Sequence, residues 1–157
     1  MYGAKLSRPV GGFAQPLGHR IGTNSEVFAI GDLVDITSGF LEVQDHVTAD
    51  RIIGICKIAK TMESDNQTVD KYEVPYIKLS IDDEFEMDFD DDAAEANVGQ
   101  FFQLLTAGTG AQQVDFSTAS DTVGQVVLKK LDPRGEGSVV RGLFSIALPE
   151  LAFEPET

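Results

Sequence analysis

Short apolar runs separated by turn residues recur along the chain from residue 27 onward. The first runs cover residues 27–30, 33–36, 40–43 and 51–58, and Gly, Asp or Ser residues stand between them. Segments of this length that are rich in β-branched residues and bounded by turn residues are typical of β-strands. Gly54 interrupts the fourth run and predicts a bulge or a close approach of two backbones.

Strict alternation marks the clearest single strand, at residues 84–90. A period of two places alternate side chains on opposite faces of a sheet. We therefore expect large apolar side chains to point into the core and acidic ones to face water. The inward set is Phe85, Met87 and Phe89, and the outward set is Glu84, Glu86, Asp88 and Asp90.

The rest of the chain predicts further strands and one short helix. Residues 91–106 favour a helix that Gly99 would cut short, and strands are expected at 101–108, 124–131 and 138–148. Eight or nine short strands with frequent turns indicate an antiparallel sandwich or barrel. We predict an all-β fold in which residues 26–157 form one compact barrel domain that ends in a short acidic tail.

Residues 1–25 have a different texture, with five glycines, two prolines and no acidic residue. Gly and Pro at this density interrupt helices and strands, so we predict an extended N-terminal docking arm that does not pack on its own chain. Its apolar residues favour ordering on a neighbouring subunit, and simple disorder is the alternative. The residues expected to bind protein are Lys5, Arg8, Phe13, Leu17, Arg20 and Ile21.

Charge narrows the classes of partner. The chain of 157 residues carries a net charge of −14, and it lacks the clustered Lys and Arg that binding to nucleic acid requires. An anionic membrane surface would repel it, and no apolar run is long enough to span a bilayer. No secretory signal is visible at the N-terminus, so we expect synthesis in a cytoplasm. Protein partners or cations are what this charge permits.

No known template for catalysis or metal binding fits the sequence. Residues 82–95 hold nine acids in fourteen residues, but a calcium loop starting at Asp88 fails at Ala93, where Gly is required, and at Gly99, where Glu is required. This acidic stretch is interpreted as a solvated strand face, with an irregular cation site or a docking surface for a basic segment as alternatives. We expect no catalytic residue, no metal and no cofactor.

The histidines and the cysteine do not change that expectation. Two histidines and one cysteine are too few for a structural zinc site of the usual kind. His19 lies in the arm, and His46 is interpreted as an ordinary loop residue. Cys56 lies among isoleucines, which favours a buried thiol over a reactive one.

Three segments together resemble a known protein family. They are residues 27–34 (VFAIGDLV), residues 49–55 (ADRIIGI), and the closing segments 124–130 and 139–148. The turn that contains Gly31 and Asp32, followed by a strand, a polar loop and a strand around Gly54, is similar to the capsid decoration, or cement, proteins of tailed bacteriophages.

The resemblance implies a non-enzymatic virion protein with a compact β-barrel or β-tulip body. It implies a homotrimer on the outer capsid surface that clamps neighbouring copies of the major capsid protein, with the N-terminal arm reaching onto the capsid. Removing residues 1–25 is then expected to abolish docking while the body still folds. The alternatives are a tail-tube or head–tail connector subunit and a carbohydrate- or cation-binding module, with an enzyme last.

Overall fold

The computed structural model describes residues 3–8, 17–44, 52–105, 112–132 and 139–147. Within these ranges the chain forms thirteen β-strands and one 3-10 helix at Glu95–Asn97. This confirms the predicted all-β class. The strands are β1 (Lys5–Arg8), β2 (Leu17–Ile21), β3 (Val27–Phe28), β4 (Leu33–Thr37), β5 (Phe40–Val43), β6 (Gly54–Cys56), β7 (Lys60–Thr61), β8 (Glu73–Lys78), β9 (Glu84–Ala93), β10 (Phe101–Leu104), β11 (Val114–Ser120), β12 (Val126–Leu131) and β13 (Val139–Ile146).

The second half of the chain forms a closed barrel of five strands, here called the C-terminal barrel. Its strands follow the order β9, β11, β10, β12 and β13, and β13 pairs back onto β9. All of these pairs are antiparallel except β9 with β11, which meet in parallel at Phe89 and Val114. Closure leaves the ring without a free edge. The strand β1 pairs with the first residues of β9, on the edge opposite β13.

The first half forms a second sheet of five strands, here called the N-terminal sheet, in the order β2, β8, β6, β4 and β5. Its two outer strands come together next to Gly22, which forms a parallel bridge with Leu41. The amide of Thr23 donates to the carbonyl of Leu41 at 2.8 Å. The sheet therefore curls almost into a barrel of its own, and the short pair β3–β7 lies beside it.

The apolar core consists of two clusters, and the larger one, inside the C-terminal barrel, also includes buried residues of β4 and β6. Phe85, Met87 and Phe89 are buried inside the C-terminal barrel, which confirms the period-two prediction. The ring of Phe89 lies at the centre of an aromatic cluster, 5.0 Å from Phe102 and 5.2 Å from Phe144 between centroids. The N-terminal sheet encloses a smaller cluster of eight buried residues. Its members are Phe28, Val34, Leu41, Val43, Cys56, Met62, Val74 and Tyr76.

The N-terminal residues differ from the predicted arm, because two of their segments pair with strands of the same chain. Residues 5–8 lie against β9, and residues 17–21 pair with β8 over five positions. The glycines that indicated an extended arm permit close packing against the same chain instead. At Gly18 a Cβ atom would lie 2.3 Å from the ring of Tyr76, so only glycine fits under that ring. Whether these residues also dock on another protein stays a prediction.

Two further expectations around the acidic stretch are wrong. Residues 91–93 continue β9 instead of starting a helix, because Ala93 still has a strand partner in Val139. Asp88 does not face water: it is buried, and its Oδ1 lies 2.8 Å from Nε of Arg141 on the adjacent strand. The positive charge of Arg141, which is 53 positions away in the sequence, offsets the cost of burying this carboxylate.

Candidate protein-binding surface

One face of the N-terminal sheet presents partly exposed apolar side chains on β2, an outermost strand, and on its neighbour β8. Residues directly opposite each other in an antiparallel pair lie on the same face of a sheet. The register therefore places Leu17 beside Ile77, and Ile21 beside Glu73. We call this surface the β2–β8 face. It consists of Leu17, His19, Ile21, Glu73, Pro75 and Ile77.

The apolar row on this face runs from the core into solvent. Leu33 and Ile55 are buried in the cluster of the C-terminal barrel, and the partly buried Ile77 packs against that cluster. Leu17, the next residue across the sheet, is 48% exposed. The row thus ends in an apolar side chain that is about half exposed. An exposed apolar surface that continues a core is typical of a protein-binding site.

The six residues that the sequence predicted for binding are not together. Leu17 and Ile21 share the β2–β8 face. Arg20 points to the opposite face, where its Nη1 donates to the carbonyl of Gly39 at 3.3 Å. Lys5 is exposed on β1, which pairs with β9 of the C-terminal barrel. Arg8 also lies on β1, without a described side chain, and Phe13 falls outside the described residues.

The basic residues of β1 lie opposite acidic residues of β9. The register pairs Lys5 with Glu86 and Arg8 with Glu84. Opposite charges at directly facing positions stabilise a strand pair by about 0.2–1 kcal/mol. This pairing corresponds to one alternative for the acidic stretch, a docking surface for the protein's own basic segment.

The acidic stretch uses its carboxylates for internal contacts. Asp88 holds Arg141, and this hydrogen bond is the main cause that raises the pKa of the guanidinium. Asp90 accepts the amide of Phe116 at 2.8 Å. In the part of the chain that the structure describes, no three His, Cys, Asp or Glu side chains come together as a metal site would require. The contacts made by Asp88 and Asp90 join β9 to its neighbouring strands.

The thiol of Cys56 is buried, as predicted. Its Sγ donates to the carbonyl of Ile58 at 3.1 Å, and burial raises its pKa to about 11. A thiol with so high a pKa stays protonated at neutral pH and is a poor nucleophile. Of the two histidines, His19 lies exposed on the β2–β8 face, whereas His46 is outside the described residues.

Sequence reasoning missed the half of the face that β8 supplies. Residues 71–81 alternate only loosely between apolar and polar positions, and this local pattern does not reveal which strand lies next to β8. Pro75 lies on β8, and β8 lies between β2 and β6. Its partner His19 is 56 positions away in the sequence, so no local pattern indicates the pairing.

Comparison with known proteins adds no relative: no protein-family model and no curated protein sequence matches this chain. Across the ranges that the structure describes, the chain forms no helix with the length and apolar character needed to cross a membrane.

Proposed function

We propose that this chain is a structural virion protein, a capsid decoration protein that binds the outer surface of a phage capsid. It stabilises the shell by clamping neighbouring copies of the major capsid protein. The observation that carries the proposal is the β2–β8 face, a partly exposed apolar surface on an acidic all-β body. The sequence resemblance to capsid decoration proteins supplies the identity of the partner.

The physical properties of the chain suit repeated attachment to a lattice. A weak contact on a capsid is multiplied when several linked copies bind at once, so no single interface has to be large. A net charge of −14 keeps the free protein soluble before it meets its lattice. We propose a homotrimer as the binding unit, with Leu17 and Ile21 facing the capsid. Lys5, Arg8 and Phe13 remain part of the proposed contact.

The test is co-sedimentation with capsids that lack this protein, prepared from the phage that encodes it. Leu17→Lys places a charge at the exposed end of the apolar row and should weaken binding at least about tenfold, or about 1.4 kcal/mol. Val123→Lys is the matched control. It makes the same change at a 62% exposed valine in the turn between β11 and β12, and it should bind as the unchanged protein does.

The outcomes separate the candidates. Failure of the unchanged protein to sediment with capsids would contradict the function, and equal binding by both variants would contradict the location. The mass of the free protein tests the trimer, which should be three times the 17.0 kDa of the chain. A ring or an open tube would instead favour the tail-tube or connector alternative.

A further inference from the structure

An apolar groove of about 410 Å³ lies where the two cores of the protein meet. Ile36, Ile53 and Tyr76 line it from the cluster of the N-terminal sheet. Ile52, Leu79 and Ile146 line it from the cluster of the C-terminal barrel. We call it the junction groove. Protein interiors are close-packed, so an apolar groove of this size beside two cores is suited to take up further apolar side chains.

The rim of the junction groove carries a positive charge. Lys78, the last residue of β8, lines the groove and is exposed. Ile81, a few residues further on, is half-buried in the lining. An apolar floor with a cation at the rim fits an extended segment that combines large apolar residues with acidic ones.

The chain itself leads such a segment to the groove. β13 ends at Ile146, which lines the groove, and the buried Ala147 donates its amide to the carbonyl of Gln125 at 3.1 Å. The ten residues 148–157 follow and lie outside the described residues. Fully extended they reach at most about 35 Å. Their apolar residues are Leu148, Leu151 and Phe153, with alanine and proline between, and their acidic residues are Glu150, Glu154 and Glu156.

We propose that residues 148–157 dock in the junction groove of their own chain, with Leu151 and Phe153 on the apolar floor and the glutamates near Lys78. The segment then joins the N-terminal sheet to the C-terminal barrel from outside. This inference does not depend on capsid binding.

The test uses tryptophan as a reporter, because the natural chain contains none. Phe153→Trp introduces one indole at the proposed contact, and Val123→Trp introduces one at an exposed control position. Pockets bury most of the surface of what they bind, so quenching by acrylamide should be at least about threefold weaker for Trp at 153 than for Trp at 123. Equal quenching of the two would overturn the proposal.

Two further variants in the Phe153→Trp background locate the contact. Ile81→Lys alters the groove and should restore strong quenching, while circular dichroism checks that the sheets remain folded. Lys78→Glu should also restore strong quenching, because the new carboxylate repels the glutamates of the segment. Lys129→Glu is the control, a charge reversal at an exposed site on β12 that should leave the quenching weak. Protection that survives Ile81→Lys would place the segment elsewhere and overturn the assignment. Protection that requires high protein concentration would show docking between copies, which also contradicts it.

Discussion

Deletion of residues 1–25 is the perturbation for which the strand pairing changes the expected result most. The sequence alone predicts that a body without its arm still folds. In the structure this deletion removes β1 from β9 and β2 from β8, and it takes away the backbone that packs against Tyr76. The shortened chain should therefore lose its cooperative fold.

The size of the loss follows from the contacts that residues 22–25 make. Five hydrogen bonds outside the β2–β8 ladder connect these four residues with other parts of the chain, at distances of 2.7 to 3.2 Å. At about 1 kcal/mol net for each bond, they alone contribute about 5 kcal/mol. A domain of this size has a total stability of about 5–15 kcal/mol, so the loss of β2 as well leaves little or none. The partners of the five bonds are Leu41, Glu63, Asn66, Gln67 and Tyr72.

Urea unfolding followed by circular dichroism measures this directly. A deletion of residues 1–16 is the graded control, since it removes β1 but keeps β2 and residues 22–25. It should lower the midpoint while the transition stays cooperative. If the protein without residues 1–25 unfolds with the midpoint and slope of the full chain, the structural role assigned to β2 is refuted.

Three other perturbations test separate parts of the fold. Phe89→Ala empties the centre of the aromatic cluster and should lower the free energy of unfolding in urea by about 4 kcal/mol. The control Val123→Ala, at an exposed site, should lower it by at most about 0.5 kcal/mol. A loss below about 1.5 kcal/mol for Phe89→Ala would contradict the packing. The thiol of Cys56 should react with a disulfide reagent only when the protein unfolds, because burial raises its pKa to about 11, and rapid labelling of the folded protein would show that it is accessible. Burial also raises the pKa of Asp32 above its ordinary value of 3.8, so the folded state favours the protonated carboxyl. The stability that this group contributes is therefore present below pH 3.8 and is lost as the pH rises through the raised pKa. Asp32→Asn should remove that part of the decline when urea midpoints are compared across pH, and an unchanged profile would be evidence against the burial of the charge.

Local sequence patterns predicted the structure correctly where the spacing of apolar residues, or the size of a single residue, decides it. Alternation at residues 84–90 placed Phe85, Met87 and Phe89 in the core. Gly54 predicted either a bulge or a close approach of two backbones, and the structure shows the close approach, since a Cβ atom there would lie 2.4 Å from the carbonyl oxygen of Ile77. Both signals depend on neighbours in the sequence or on the steric size of one residue.

Long-range pairing accounts for the expectations that were wrong. Asp88 was assigned to water because nothing near it in the sequence reveals Arg141. Residues 91–93 have a helical composition, yet pairing with β13 extends the strand through Ala93. The glycines of residues 1–25 suggested an arm, since a sequence does not show that Tyr76 covers Gly18. For the same reason the β2–β8 face could be predicted only on its β2 side.

The most direct test of the proposed role is the heat stability of capsids with and without this protein. Capsids that lack the protein should release their DNA at a lower temperature than capsids to which the purified protein has been added back. Protein that carries Leu17→Lys should restore stability only at much higher concentration, while Val123→Lys should restore it fully. If saturating protein leaves the temperature of DNA release unchanged, the chain does not clamp the shell and the proposal is wrong.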